Sequence, residues 1–394
     1  MEKLKSTAAD YRIEQINDLS TVKAHEWDAL VRDACGRLHP ALRHSFLDGL
    51  HRTGCASPDT GWEPRYLLAW HHDALMGAVP LYRKHHSYGE YVFDWSWAEA
   101  HHKHGLNYYP KLLAAIPFTP VSAPKLLARD EPTRRVLGAV LDEVLRESKA
   151  SSLHALFVSD EERALLENAG YMHRRNVQFH WQNAGYASFD EFLAQLDGPK
   201  RRKIRAERRK VRDASVTLRT VLGSQAHATD WDFFTRCYER TYREHHSMPY
   251  LNRAFFGYIG ATMGEQVLLV IAERAGKPIA ATLSLFDETT LYGRYWGAIE
   301  HIPCLHFEAC YYAPIEFCIA RGIQVFEGGA QGEHKLARGF TPAEMTSMHR
   351  VAHPMFAEAI ERFLRYESVG VDGYLDELND RNPYRAGTFD RTLD

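Results

Sequence analysis

Val267-Leu268-Leu269-Val270-Ile271-Ala272-Glu273-Arg274, Ala275-Gly276-Lys277 and Pro278-Ile279-Ala280-Ala281-Thr282-Leu283-Ser284-Leu285-Phe286 follow one another without a break. Two apolar runs of strand length flank a short glycine turn, the pattern of an antiparallel hairpin. A third strand is expected from Thr290 to Trp296. Apolar spacing then predicts a helix from Glu308 to Arg321, which Gly322 ends as a C-cap. The short run Ile323-Gln324-Val325-Phe326 is β-like. It leads into Glu327-Gly328-Gly329-Ala330-Gln331-Gly332-Glu333-His334-Lys335-Leu336-Ala337-Arg338-Gly339-Phe340. That loop sets four glycines among carboxylates, an amide, a histidine and two cations. Glycine lets a backbone turn sharply and come close to a ligand. Polar loops at strand ends commonly carry function.

The N-terminal half has a similar order. A β-like piece at Tyr11–Ile16 precedes helices around Trp27–Asp33 and Phe46–Arg52. Strands at Tyr66–Trp70 and Ala74–Tyr82 form a hairpin about His71-His72-Asp73. An irregular stretch is expected from Lys84 to Pro124. A helix from Thr133 to Ser148 places Val136, Leu137, Val140, Leu141, Val144 and Leu145 at helical spacing. Strand Leu153–Val158, helix Asp160–Asn168 and strand Val177–Trp181 follow. In the C-terminal half, further helices are expected around Ser188–Asp213 and Ala228–His245.

At 394 residues the chain exceeds one hydrophobic core, so two domains are expected. Their bounds are read as 1–184 and 185–394, with the boundary near Asn183-Ala184-Gly185 and a basic helical segment at 199–213. No apolar run approaches the ~20 residues of a membrane span. The polar start Met1–Thr7 lacks the apolar core of a signal peptide. Six cysteines without a CxxC pair fit reduced thiols in the cytoplasm. Net charge is −3, yet residues 200–212 hold nine Lys and Arg and one Glu, leaving −11 for the rest. A dense basic block on an acidic chain points to an anionic partner, with solvated pairing to its own acidic surface as the alternative.

The order of elements in each half is that of an acyltransferase domain of the GNAT type. Longer strings are more specific. Trp97-Ala98-Glu99-Ala100, Gly105-Leu106-Asn107-Tyr108-Tyr109-Pro110-Lys111 through Val121, His306-Phe307-Glu308, and Phe326 to Lys335 resemble the FemAB-like family of N-acyltransferases. The resemblance covers nearly the whole chain. It implies an α+β protein of two tandem GNAT-like domains, each a mixed, mainly antiparallel sheet flanked by helices. It also implies transfer of an acyl or aminoacyl group to an amine; the well-known Fem ligases draw that group from aminoacyl-tRNA. Acyl-CoA-dependent GNAT enzymes bind pyrophosphate with a glycine-rich loop at a helix N-terminus. The corresponding stretch here, Gly297 to His306, has no glycine pair and contains Glu300 and Pro303. It suits a pyrophosphate poorly, so aminoacyl-tRNA stands as a donor beside acyl-CoA, which remains possible, and no cofactor is certain.

Acyl transfer to an amine needs proton removal, a held carbonyl and a stabilised oxyanion. His306, Glu308, Glu327 and His334 are the candidates for proton transfer. Glu308 alternatively stabilises a helix N-terminus. Tyr295, Gln331, Glu333, Lys335 and Arg338 are expected to bind substrate, with Trp97, His104, Asn107, Tyr108, Tyr109 and Lys111 lining the cleft. Core packing is the alternative for the aromatics. Lys200, Arg201, Arg202, Arg205 and Arg209 are the anion-binding candidates. His101-His102-Lys103-His104 falls in no metal-ligand spacing such as HExxH, so no metal is expected. No GxSxG elbow supports a serine hydrolase. The expected function is an N-acyltransferase acting by direct attack of a small amine on an activated ester or thioester. The alternatives are an aminoacyl-tRNA-dependent ligase and a non-catalytic small-molecule binder on the same fold. The sequence names neither donor, acceptor nor oligomeric state.

Overall fold

The computed structural model describes residues 2–3, 11–330 and 332–385. The chain forms two compact units. The first is Met1–Asn176 with Glu344–Gly373, and the second is Val177–Ala343 with Tyr374–Asp394. This division differs from a single cut after residue 184. The turn read at Asn183–Gly185 is present: Gly185 has φ +82°, and Asn183 Oδ1 accepts from the Gly185 and Tyr186 N–H groups at 3.1 and 3.0 Å. It ends the strand Met172–Gln182 rather than a domain.

In the first unit, Arg12–Ile16, Tyr66–His71, Ala74–Val79 and Leu127–Ala128 pair antiparallel in that order. Pro80 separates Ala74–Val79 from Leu81–Lys84, splitting the strand expected as one. Lys111–Ala114 pairs antiparallel with Leu81–Lys84 and parallel with Ser152–Leu156. The crossover helix between these parallel strands is Glu131–Ser148. Asp130 caps it by accepting from Thr133 N at 2.8 Å, and Pro132 sits in the first turn, where no N–H is needed. Leu137, Val140, Leu141, Val144 and Leu145 are buried against both strands, as their spacing predicts. The stretch Lys84–Pro124, expected to be irregular, contains the helix Trp95–Lys103 and the strand Lys111–Ala114.

That stretch also encloses charge. Lys111 is fully buried and donates to Ser87 Oγ at 2.8 Å, Glu90 Oε2 at 2.7 Å and Asp94 Oδ2. Burial would lower the Lys111 amine, but the two carboxylates outweigh it and raise the pKa. Tyr108 adds a 2.5 Å bond to Asp94. Beside it, His154 contacts Ser152 at 2.8 Å and His349 at 2.6 Å.

The second unit has an antiparallel sheet of Val216–Leu222, Val267–Arg274, Lys277–Phe286 and Thr290–Ala298. Val325–Glu327 adds in parallel to Thr290–Ala298 and pairs antiparallel with His180–Gln182. The helix Ala228–Glu244 covers the sheet; a side chain at Gly297 would sit 2.1 Å from the Cys237 carbonyl, so only glycine admits this packing. The helix expected over Ser188–Asp213 is two helices, Phe189–Gln195 and Gly198–Asp213, the latter with Pro199 in its first turn.

Two measurements test this account of the first unit. Lys111→Ala leaves buried Asp94 without its cation and Glu90 with the more distant Lys84 at 4.0 Å, and should cost about 3–5 kcal/mol in chemical denaturation; a cost below ~1 kcal/mol contradicts the network. Burial pushes His51 down to about 4 and His154 to about 3, so both are neutral in the fold. The unfolded chain, with histidines near ~6.5, binds more protons below that pH. Stability should therefore be intact above about pH 6.5 and fall as the pH drops towards 4. A Tm independent of pH across that window contradicts it.

Candidate active site

The parallel pairing of Thr290–Ala298 with Val325–Glu327 extends only from Thr290↔Val325 to Tyr292↔Glu327. Beyond Tyr292 the strands part. Gly293 marks the point, since a Cβ there would come 3.1 Å from the Phe326 ring. On the other side of Thr290–Ala298 the register slips, so that Ser284 faces Gly293 while Leu283 faces Tyr295. Arg294 is the extra residue of this bulge, a device that re-aims side chains beside functional sites. The parting strands open a cleft of about 210 Å³. Arg294, Tyr295 and Trp296 line one wall and Gly328, Gly329 and Ala330 the other. His306, Cys310, Tyr311 and Lys335 close it.

The helix that supplies His306 and Tyr311 is not uniform. Cys304 lies in the left-handed region at φ +68°, Leu305–Phe307 forms a first turn, and Glu308–Tyr312 widens into a π-turn before Ala313–Arg321 resumes the α-helix. Pro314 explains the widening: it has no N–H for the Cys310 carbonyl four residues back, and its ring would clash there. π-Turns of this kind recur at functional sites.

His306 packs edge-on to Trp296, Tyr311 and His334, with ring centroids 5.4, 5.5 and 6.1 Å away. Burial, reinforced by His334, Arg338 and Lys335, pushes it down to about 4. It is thus a neutral base at physiological pH. His334, on the rim, contacts the Tyr311 hydroxyl through Nε2 at 2.9 Å. Its pKa is lowered by partial burial and by Arg338 and Lys335. Lys335 is buried, and its Nζ donates to the Gly329 carbonyl at 2.8 Å. Burial pushes it down to about 8. Among the described residues no carboxylate forms an ion pair with Lys335. Glu327 ends its strand as a buried carboxylate, opposite Tyr292 and His180 in register.

Glu308 and Arg338 are taken up elsewhere. Glu308 receives Arg208 Nε at 3.0 Å, and Arg208 also holds Glu316 at 2.8 Å. Burial raises the Glu308 pKa, with Arg208 opposing. Arg338 donates to Glu207 at 2.8 Å and lies 3.4 Å over the Phe307 ring. Tyr312 donates to the same Glu207. Glu207 and Arg208 belong to the basic helix Gly198–Asp213, which buries Ile204, Glu207 and Val211 on one face. Lys200 and Arg201 are half-buried, while Arg202, Arg205 and Arg209 face solvent; Arg205 meets Asp190 at 3.2 Å. The basic helix is therefore bolted to the helix that carries His306.

Glu333 is exposed and held by Arg381 at 2.8 Å and Tyr374 at 3.0 Å. Gln331 lies outside the described residues. Trp97, Tyr108 and Lys111 are interior residues of the first unit, Tyr109 is half-buried there, and His104 and Asn107 are exposed. The second-unit cleft contains none of these. In the first unit, the strands corresponding to the parting pair, Lys111–Ala114 and Ser152–Leu156, lead into Ala115–Val121 and Phe157, which are buried. Sequence reasoning missed Arg294, Trp296, Cys310, Tyr311 and the Glu207–Arg208 anchor. Gly293 after a β-like run was the available signal for the first two.

Three solved structures bear on this architecture. The structure matches that of FemX with a TM-score of 0.54 at 11% identity, over 88% of this chain and 100% of that one. It matches L-PGS from Bacillus licheniformis with a TM-score of 0.52 at 9% identity, over 87% and 97%. A conserved protein of unknown function from Bacteroides thetaiotaomicron VPI-5482 follows at 0.50 and 13%, over 86% and 98%. At these identities the likeness establishes the fold, two GNAT-like domains in tandem. No curated protein matches the chain. Among the described residues no helix is long and apolar enough to cross a membrane, and no cluster of His, Cys, Asp and Glu is placed to hold a metal ion. The FemAB-like family profile, described as peptidoglycan biosynthesis/recognition, matches residues 18–386, and the chain belongs to that family.

Proposed function

We propose that the protein is an N-acyltransferase that moves an acyl or aminoacyl group from an activated ester or thioester to an amine, at the cleft of the second unit and in the cytoplasm. The observation that carries this reading is Lys335: a buried amine at the parting of two strands, with a backbone carbonyl for its partner. Its pKa near 8 leaves it mostly protonated at neutral pH. A cation held in a dry cleft stabilises charge that develops on a carbonyl oxygen. Substrate nitrogen attacks the acyl carbon, and the carbonyl electron pair moves to oxygen beside Lys335. Neutral His306, or His334 at the rim, takes the proton lost by nitrogen. Collapse of the tetrahedral adduct expels the alcohol or thiol of the donor, which recovers a proton from the histidine. Arg294 and Tyr295 hold the acceptor. Glu308 and Arg338 act as positioning residues, since their charges are spent on the basic helix.

An aminoacyl-tRNA donor is the reading favoured among the options, because of one observation. The solvent face of Gly198–Asp213 carries Arg202, Lys203, Arg205, Arg209, Lys210 and Arg212, and its other face is tied to the helix of His306. Such a face suits a polyanion whose reactive end enters the cleft. FemX and L-PGS share this fold, and the family description names peptidoglycan, which supports a cell-wall amine as acceptor.

Incubation with acyl-CoA and aminoacyl-tRNA pools, followed by native mass spectrometry, should retain tRNA with an affinity that falls about 10³-fold or more between 50 and 200 mM salt. Retention of acyl-CoA instead would overturn the donor assignment. Once a donor is known, Lys335→Met should lower kcat by about 10²–10³-fold with little change in KM. Activity should rise with pH as His306 loses its proton near 4 and fall above about 8 as Lys335 does. Full activity of Lys335→Met, or a rate still rising past pH 9.5, would exclude the role of Lys335.

A further inference from the structure

The helix Pro354–Asp380 runs for 27 residues. Within the first unit, its Ile360 and Leu364 pack inward. The opposite side presents Met355, Phe363, Tyr366 and Val369, which are 74%, 42%, 82% and 70% exposed. An exposed apolar stripe of this length on one helix marks an interaction face. Two glycines lie on the same stripe. A Cβ built at Gly370 or Gly373 meets nothing within 4 Å, so nothing in the chain itself requires glycine there. Glycine in a helix interior is less stable than alanine. Two of them on one exposed face therefore point to a close neighbour that the single chain does not supply.

Spacing identifies that neighbour. Phe363, Tyr366, Gly370 and Gly373 follow a 3-4-3 interval, the seam of a pair of helices. We infer that this face packs against the same face of a second copy, with the helices antiparallel about a two-fold axis midway between Tyr366 and Gly370. Under that symmetry Tyr366 meets Gly370 of the second copy, and Phe363 meets Gly373. Each large ring fills the gap left by a glycine, which is the self-complementarity of an isologous contact. Charge agrees with this direction. Arg362 and Arg365 lie before the axis, and Asp376 and Asp372, the latter already held by Arg175 at 2.6 Å, lie after it, so antiparallel pairing brings opposite signs closer than parallel pairing does. Arg362 and Arg365 now hold Glu358 and Glu361 in exposed pairs one turn away, which are weak and readily exchanged. Parallel pairing would instead stack Tyr366 on Tyr366 and arginine on arginine.

The test is the oligomeric state of the full chain. Sedimentation velocity over about 1–200 µM should show a monomer–dimer equilibrium, since a contact of a few helical turns is at the small end of stable interfaces. Tyr366→Glu and Gly370→Leu should each give monomer with unchanged or greater helix content by circular dichroism, because both sites are exposed. A mixture of Tyr366→Cys and Gly370→Cys proteins should form a disulfide-linked heterodimer under mild oxidation. A monomer across the whole range, dimerisation unaffected by both substitutions, or self-linked Tyr366→Cys as the main product would each overturn the inference.

Discussion

The site depends on how briefly two parallel strands stay together. Thr290–Ala298 and Val325–Glu327 share three residues of ladder and then separate. Everything assigned a chemical role stands on the edges of that gap. Gly293 permits the close approach of Phe326 where the strands part, the bulge at Arg294 turns side chains towards the gap, and the π-turn before Pro314 brings His306 and Tyr311 to its mouth. The gap in turn relies on Gly198–Asp213. Glu207 fastens Arg338 and Tyr312, and Arg208 fastens Glu308 and Glu316. Removing either anchor would leave buried or half-buried charge without a partner, which is costly.

Burial is used in two different ways in the two units. Lys111 of the first unit is surrounded by two carboxylates and held protonated; its charge is consumed by structure. Lys335 of the second unit is nearly as buried, but among the described residues it has the Gly329 carbonyl and no carboxylate beside it, which is why the proposed reaction uses its charge. The same contrast separates His154, locked to Ser152 and His349, from His306, which is ringed by aromatic edges and opens on the cleft. A desolvated ionisable group is evidence of function only when its neighbours do not neutralise it.

Much of this was legible in the residues. The hairpin Val267–Phe286, the strand after it, the helix ending at Gly322 and the glycine loop all fall where the periodicity placed them, because each has its own local pattern and stop signal. His306, His334 and Lys335 stood out as candidates because the loop and the helix start are polar where a solubilising turn need not be. Other features were hidden. Trp95–Lys103 has two adjacent histidines and little periodicity, so its helix shows only once Trp97 and His101 are seen buried. Glu308 read as a proton-transfer group and Arg338 as a substrate-binding one because their partners, Arg208 and Glu207, are far away in sequence. The strand Thr341–Val351 has polar residues at half of its positions and was not anticipated. The return of Glu344–Gly373 to the first unit is a property of topology, which no local pattern reports.

The most direct test of the central claim is a crystal structure with a non-hydrolysable analogue of whichever donor the protein retains. The account predicts the acyl carbonyl between Gly293–Trp296 and Gly328–Ala330, within hydrogen-bond reach of Lys335 Nζ. A well-ordered analogue bound outside this cleft, or within it but turned away from Lys335, would contradict it.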